Sequence, residues 1–172
     1  YMPILTSQAI PVFCDIDPYT GCPDPTDIEQ RITPNTKAVI IVHLGGMPAE
    51  MDAIVEVSQR YNLIVIEDCS HAHGATYKGQ KVGTIGDIGC FSMQAGKLLP
   101  AGEGGVMITN NLDWHERAIC LGHYERIPHL SNPDYHKYSP TCFGYKYRIS
   151  PLSAAIASVQ LRHLDQRNKQ RN

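Results

Sequence analysis

The sequence lacks several features that would assign it to a specialised class of protein. Its 172 residues contain 15 Lys and Arg against 17 Asp and Glu, a formal net charge of −2, so no basic excess favours a nucleic-acid backbone. It has no apolar run near the roughly 20 residues that a membrane-spanning helix needs, and no secretory signal opens it. These absences predict a cytoplasmic protein whose partners include neither nucleic acid nor membrane.

Cysteine is present, but it is not arranged for a metal site or a disulfide framework. The six cysteines are scattered and never form a C-x-x-C pair. Several lie in apolar stretches, where a reduced cysteine acts as a small hydrophobe. We therefore expect neither bound metal nor disulfides from Cys14, Cys22, Cys69, Cys90, Cys120 and Cys142.

Strand-like and helix-like segments alternate in the first part of the chain. Strands are predicted at 11–16, 38–44 and 63–69, with helices at 25–32 and 49–60 between them. The second and third strands are continuous apolar runs, which is typical of a parallel sheet buried on both faces. The predicted fold class is α/β, with a mostly parallel sheet and helices on both faces.

The second part of the chain differs from the first in composition and in the regularity of its pattern. Glycine-rich sequence leads to short β-like pieces at GCFSM and GVMITN. A helix is predicted from about Leu112 to Gly122, then an irregular polar stretch at 125–139 and a last helix from about Pro151. That helix has no closing cap, and Tyr1 precedes Met2, so we expect the chain to be part of a longer protein.

Asp68 and Lys97 are the residues that suggest chemistry. Asp68 ends an apolar strand, and ligands of open parallel sheets bind beyond the carboxyl ends of the strands. A carboxylate at the end of an apolar strand costs folding free energy, so its presence suggests a functional role. The alternative is that Asp68 caps the turn at Ser70. Lys97 lies in a glycine-interrupted loop, although most loop lysines are simply solvated. Neither residue alone establishes a function.

Three segments resemble the DegT/DnrJ/EryC1/StrS family of fold-type I aminotransferases. They are VFCDIDPYTGCPDP, TKAVIIVHLGGMPAEMDAI and VIEDCSHAHGATYKGQKVGTIGDIGCFSMQAGKLLPAGEGGVMITN, and the likeness extends from about Ile10 to about Leu164. The resemblance implies that residues 1–172 are a partial large domain that binds pyridoxal 5'-phosphate. Residues 151–172 would begin the helix that leads to a small domain.

The resemblance also implies roles for individual residues. Lys97 would form the internal aldimine with the cofactor and later move a proton between the substrate carbon and the cofactor. Asp68 would keep the pyridine nitrogen protonated so that the ring can accept electrons. His71 would hydrogen-bond near the ring oxygen, unless it is a surface histidine, and the Ser92 hydroxyl would hold the phosphate.

Several positions depart from the family pattern or carry no implied role. Lys146 replaces a family Asn that reaches the cofactor phosphate of the neighbouring subunit, and it can still bind phosphate as a point charge. An earlier family segment that forms a phosphate cup and supplies a stacking aromatic residue is missing from this sequence. The glycines of GEGG are expected to allow close backbone approach, and His43 and His73 are expected to be packing or loop histidines.

A homodimer is the expected assembly. The tyrosine-rich sequence from Tyr135 to Tyr147 lacks a helical or strand period, and tyrosine and arginine are favoured at interfaces. We therefore expect an interface loop at about 125–147 that each subunit of a two-fold dimer lends to the other. A disordered surface excursion is the alternative.

The resemblance implies transfer of an amino group from glutamate or glutamine to a nucleotide-linked keto-sugar or a keto-cyclitol. A sugar dehydratase of the same family carries histidine at the position of Lys97, which disfavours dehydration. A non-catalytic scaffold protein would be expected to lose the pair formed by Asp68 and Lys97. An inert fragment of an enzyme is the remaining alternative.

Overall fold

The computed structural model describes residues 2–140 and 144–171. Its centre is a four-stranded sheet in which the first three strands are parallel and the last is antiparallel, in the order β1-β2-β5-β6. The predicted mostly parallel α/β fold is therefore confirmed. The strands are β1 (Ala38–Val42), β2 (Ile64–Asp68), β3 (Thr76–Tyr77), β4 (Gln80–Lys81), β5 (Ile88–Ser92) and β6 (Gly105–Ile108).

The helices begin at residues that suit helix starts. Asp24, Asn111 and Ser150 each accept a backbone N–H of the first turn with their side chains. The predicted helices at 25–32, 49–60 and 112–122 are confirmed. The helices are α1 (Met2–Thr6), α2 (Pro25–Arg31), α3 (Met51–Arg60), α4 (Leu112–Gly122), α5 (Pro151–Leu161) and α6 (Leu164–Arg171), with 3₁₀ turns at Leu44–Gly46, Tyr124–His129 and Pro133–Tyr138.

In the described ranges, no helix combines the length and apolar character that crossing a membrane requires.

One face of the sheet is packed more tightly than the other. On the face that we call the covered face, Ile41 and Val65 pack against α2 and α3, including the fully buried Ile54. Successive strand residues point to opposite faces, so Ile40 and Asp68 belong to what we call the open face, where Ile40 is 41% exposed. Each large apolar side chain buried on the covered face contributes about 1.5–3 kcal/mol.

The strand predicted at 11–16 was wrong. This segment forms only an isolated bridge between Ile16 and Pro23, and Val12 and Phe13 are 64% and 71% exposed. A strand needs the backbone of a neighbour to satisfy its N–H and C=O groups. The described sheet consists of β1, β2, β5 and β6, and none of these strands pairs with this segment.

The prediction for the stretch from 125 to 139 was wrong in one respect, because this stretch is mostly helical. It forms two 3₁₀ turns, and Ile127 within the first of them is fully buried. The buried carboxylate of Glu116 in α4 accepts the N–H groups of Ser131 and Asn132, at 2.6 and 3.0 Å. The packing of this stretch on α4 could not be inferred from its irregular sequence period.

The last helix is divided where a single helix was predicted. α5 and α6 are separated at Arg162 and His163, where no proline or glycine explains the break. Leu164 is buried with Leu99 and Ala157. The break therefore coincides with tertiary packing rather than with a local helix-breaking residue.

Candidate functional site

The carboxyl ends of β2 and β5 bring two of the candidate residues to the same face of the sheet. Asp68 pairs with Cys90 in the parallel register, and Ser92 lies two residues further along β5. Because side chains two residues apart in a strand share a face, Asp68, Cys90 and Ser92 all belong to the open face. The sequence placed Asp68 at a strand end but could not supply this register.

Asp68 caps the turn that follows β2. Its Oδ1 accepts the N–H of Ser70 at 3.0 Å, which is the capping role considered for it from the sequence. Its main-chain oxygen accepts the N–H of His43 at 3.2 Å, so the neighbouring loop is held to it. No described residue hydrogen-bonds to Oδ2, which leaves that oxygen able to accept a ligand proton. Capping and ligand binding are therefore compatible.

The loop that carries Lys97 begins with a compact turn. The N–H of Gln94 donates to Ser92 Oγ at 3.3 Å, and Gln94 Oε1 accepts the N–H of Gly96 at 2.8 Å. The N–H of Lys97 donates to the main-chain oxygen of Gln94 at 2.9 Å. Lys97 is half-buried, and its amine forms no ion pair with any residue in the described ranges. The Ser92 hydroxyl proton is free to point away from this turn.

His71 and His73 follow Asp68 in the same loop and have different surroundings. His71 is exposed, and its Nδ1 accepts the N–H of Gly45 at 3.4 Å. His73 is buried, with its ring centroid 5.6 Å from that of Phe91, as expected of a packing histidine. Burial lowers the pKa of His73 below its ordinary value of 6.5, and the nearby charges of Lys97 and His71 lower it further. Its imidazole is therefore neutral near pH 7.

Helix α6 holds the His73 and Lys97 loops together, which the sequence did not reveal. Asn168 Nδ2 donates to the main-chain oxygen of His73 at 2.9 Å, and Arg167 donates to that of Leu98 at 3.1 Å. A cavity of about 310 Å³ lies beside these contacts and is lined by His71, His73, Leu98 and Asn168, among others. Polar residues on a helix carry no sequence signal for such long-range contacts with the backbone.

Glu67, which precedes Asp68, was also missed. It is fully buried on the covered face, and its carboxylate accepts four N–H groups, from His43 Nε2 at 3.0 Å and from the backbone of Gly83, Ile85 and Gly86 at 2.7, 2.8 and 2.6 Å. Burial raises its pKa most strongly, but the four hydrogen bonds together outweigh burial and leave the pKa below the ordinary 4.5. An acidic residue within an apolar strand was the available signal.

The ligand atoms of His43, Glu67 and Cys69 lie within 4.8 Å of one another, but their chemistry does not suit a metal ion. The Glu67 oxygens already accept four hydrogen bonds. Burial and the neighbouring acidic groups raise the pKa of Cys69 to about 12, so its Sγ is a protonated thiol in this cluster. These three residues are better described as a buried hydrogen-bonding cluster. Of the six cysteines, Cys142 lies outside the described residues.

Lys146 stands apart from the other candidates. It is exposed, its Nζ lies 6.0 Å from the centroid of the Tyr124 ring, and its backbone forms an isolated bridge with His123. Within the described part of the chain, no hydrogen bond or ion pair joins it to Asp68, Ser92 or Lys97. Of the glycines of GEGG, Gly105 shows the expected close backbone approach, since a Cβ there would meet the main-chain oxygen of Phe91 at 3.1 Å. The expectation was wrong for the other two, because a Cβ on Gly102 would meet nothing within 4 Å and one on Gly104 would meet the side chain of Ile149 at 3.0 Å.

Comparison with known proteins places these residues in a family. Residues 1–172 match the DegT/DnrJ/EryC1/StrS aminotransferase family. An L-glutamine:2-deoxy-scyllo-inosose aminotransferase from Streptoalloteichus tenebrarius is 42% identical over 170 residues, which are 96% of this chain and 40% of that protein. The chain thus spans about two fifths of the length of the curated relatives that it matches.

Solved structures agree with the sequence comparison. An aminotransferase from Psychrobacter cryohalolentis has a TM-score of 0.85 at 34% identity, covering 94% of this chain and 42% of that one. DesI, solved in the presence of its TDP-sugar product, has a TM-score of 0.82 at 31% identity, covering 96% of this chain and 40% of that one. The chain belongs to the DegT/DnrJ/EryC1/StrS aminotransferase family.

Proposed function

We propose that the chain is a partial large domain of a pyridoxal-phosphate-dependent aminotransferase and that Lys97 holds the cofactor. The observation that carries the proposal is the strand register that places Asp68 and Ser92 on the open face, directly before the Lys97 loop. Family membership supports the same reading. An inert fold is disfavoured because a carboxylate, a hydroxyl and an amine of the required kinds are all retained.

The donors and acceptors fit pyridoxal phosphate, which, when bound, supplies an electron sink for the substrate carbanion. Asp68 Oδ2 is available to accept the proton of the ring nitrogen, and the Ser92 hydroxyl can donate to the phosphate. Because His71 Nδ1 accepts a backbone N–H, its ring proton is on Nε2, which suits donation to the ring oxygen. Three side chains therefore match three different polar groups of the cofactor.

Lys97 has two tasks in this proposal. Its amine would hold the cofactor covalently and, once free again, would carry a proton to and from the substrate carbon. The absence of an ion pair to its amine within the described ranges favours both tasks. The compact turn from Ser92 to Lys97 limits the motion of the loop, so the amine is delivered from a defined direction.

The proposed substrates follow from the relatives. The Streptoalloteichus protein is named for glutamine as donor and a keto-cyclitol as acceptor, whereas the DesI structure contains a TDP-sugar product. We therefore propose an amino-acid donor, glutamine or glutamate, and a keto-cyclitol or nucleotide-linked keto-sugar as acceptor. Turnover assays with each donor and acceptor, run with added cofactor, distinguish these possibilities.

Covalent mapping tests the role of Lys97. The whole protein is incubated with pyridoxal phosphate, reduced with borohydride and digested, and we expect the label on the peptide that contains Lys97. Lys97→Ala should abolish this label, while Lys78→Ala, a change at an exposed lysine that pairs with Asp52, should leave it unchanged. Label found mainly on Lys78 or Lys81 would refute the assignment.

We further propose that the active site is shared across a two-fold homodimer, with Lys146 reaching the cofactor phosphate of the other subunit. Tyr145 and Tyr147 stack with their rings 5.0 Å apart and are 58% and 69% exposed. The next helix, α5, exposes Leu152 and Val159. Exposed aromatic and apolar residues on two consecutive segments favour a protein interface over a solvated loop.

Heterodimers test this sharing. Lys97→Ala and Lys146→Glu homodimers should each be inactive, but a mixed dimer should regain one complete site and about half of the wild-type activity per dimer, by the symmetry of a two-fold assembly. Verified heterodimers without activity would contradict sharing. If Lys146→Glu homodimers are fully active, Lys146 does not bind the phosphate.

A further inference from the structure

We propose that Glu67, held by His43, is a positioning residue that fixes β5, and with it Ser92 and the Lys97 loop, relative to Asp68. This inference rests on the proposed function of Lys97 and Asp68. It concerns residues on the face of the sheet opposite the proposed cofactor site. Glu67 does not touch that site, because neighbouring side chains in a strand point to opposite faces.

The first step is the connection between β2 and β5. Gly83, Ile85 and Gly86 belong to the turn that leads into β5, and all three donate their N–H groups to the Glu67 carboxylate. This turn lies directly on β5, since a Cβ on Gly89 would meet the main-chain oxygen of Gly83 at 2.3 Å. The Glu67 side chain thus fixes the start of β5 against the end of β2.

The second step is the connection to the loop after β1. His43 Nδ1 accepts the N–H of Ala49 at 3.1 Å, so its ring proton is on Nε2 and is donated to Glu67. The main-chain N–H of His43 donates to Asp68. One fully buried histidine therefore holds Glu67 by its ring and Asp68 by its backbone, and its neutral tautomer is set by Ala49.

The third step is the chemistry of the carboxylate. A buried carboxylate with four N–H partners has little capacity left to accept another proton or ligand. Two oxygens that each accept two N–H groups set the relative positions of three chain segments more strictly than an apolar side chain of similar size could. Such support is what a site needs when its side chains must be held to within about 0.5 Å.

Three variants of the whole protein and a packing control test this role. His43→Leu removes the side-chain donor, His43→Gln can still donate to Glu67 and accept from Ala49, and Glu67→Gln turns one acceptor oxygen into a donor group. The control, Ile41→Ala, removes buried volume beside Glu67, with which Ile41 is in register, and leaves its hydrogen bonds in place. Each protein is first checked for folding by circular dichroism.

Binding of pyridoxal phosphate, measured as a dissociation constant, is the first readout. We expect His43→Leu and Glu67→Gln to bind about 10-fold more weakly, a typical effect of losing a supporting hydrogen bond at a site, and His43→Gln and Ile41→Ala to stay within about 2-fold of wild type. Hydrogen exchange without cofactor is the second readout. The backbone N–H groups of Gly83, Ile85 and Gly86 should exchange faster than in wild type in His43→Leu and Glu67→Gln, but not in His43→Gln or Ile41→Ala.

The outcomes separate this inference from the proposed function. If wild-type protein binds the cofactor on Lys97 but His43→Leu binds it equally well, positioning by His43 and Glu67 is refuted and the proposed function stands. If Ile41→Ala weakens binding as much as His43→Leu, the effect is one of general packing, and the inference fails. If wild-type protein does not bind the cofactor on Lys97, both fail. If Glu67→Gln does not fold, the difference in cofactor binding and hydrogen exchange between His43→Leu and His43→Gln is sufficient to test the inference.

Discussion

Two consecutive acidic residues of β2 point to opposite faces of the sheet and have opposite surroundings. On the covered face, Glu67 is fully buried and accepts four N–H groups. On the open face, Asp68 is only half-buried, and among the described residues a single N–H, from Ser70, donates to its side chain. The same kind of functional group is thus saturated on one face and available on the other. The comparison separates a carboxylate that supports the site from one that can act in it.

This difference follows from what covers each face. On the covered face, α2 and α3 exclude water, so a carboxylate is tolerated there only with a full set of donors. The open face keeps Ile40 41% exposed, and an acidic side chain at its carboxyl end can keep an unused oxygen. Substitution of Asp68 on the open face should therefore act mainly on activity, whereas substitution of an apolar side chain packed on the covered face should act mainly on folding stability.

The largest expected effect is on activity. Asp68→Asn should keep the fold, because an amide oxygen can still accept the N–H of Ser70, but it should lower turnover by about 100-fold or more, the scale of removing one preorganised electrostatic group. The physical reason is that a neutral amide cannot keep the ring nitrogen protonated. Turnover is compared with the melting temperature of the same protein. Wild-type turnover in folded Asp68→Asn would show that the carboxylate is only a cap.

A change on the covered face should give the opposite result. Ile54→Ala leaves a cavity in the cluster between α3 and the sheet, and we expect it to lower the free energy of unfolding by about 2–5 kcal/mol. Glu56→Ala, on the exposed side of the same helix, should change that free energy by less than about 0.5 kcal/mol. Denaturant titration measures both variants. Equal effects would mean that the covered face is not a core.

The contrast between the faces also explains how far the sequence could be interpreted. Apolar runs predicted β1 and β2, and helical periodicity predicted α3, because local pattern and burial agree in these elements. Asp68 was identified by its place at a strand end. The register that adds Ser92 and the contacts that tie Asn168 to His73 depend on residues far apart in sequence, and no local pattern encodes them. Segment 11–16 failed as a strand for the same reason, since pairing needs a neighbour.

The smallest expected effect is a change in how stability depends on pH. The pKa of Glu67 in the folded protein lies below the ordinary 4.5, because its four hydrogen bonds outweigh burial. Around and below pH 4.5 the unfolded chain therefore binds more protons than the folded one, and stability falls as the pH is lowered. The contribution of Glu67 to stability is complete above pH 4.5 and is lost as the pH drops through the folded pKa.

Glu67→Gln should remove this part of the acid dependence, so that its stability deficit relative to wild type is largest near neutral pH and shrinks in acid. Urea titrations at a series of pH values measure this deficit, and Ile54→Val, which alters no titrating group, should show a deficit that is independent of pH. A pH-independent deficit for Glu67→Gln as well would mean that the carboxylate is not held ionised on the covered face, and the contrast with Asp68 would lose its physical basis.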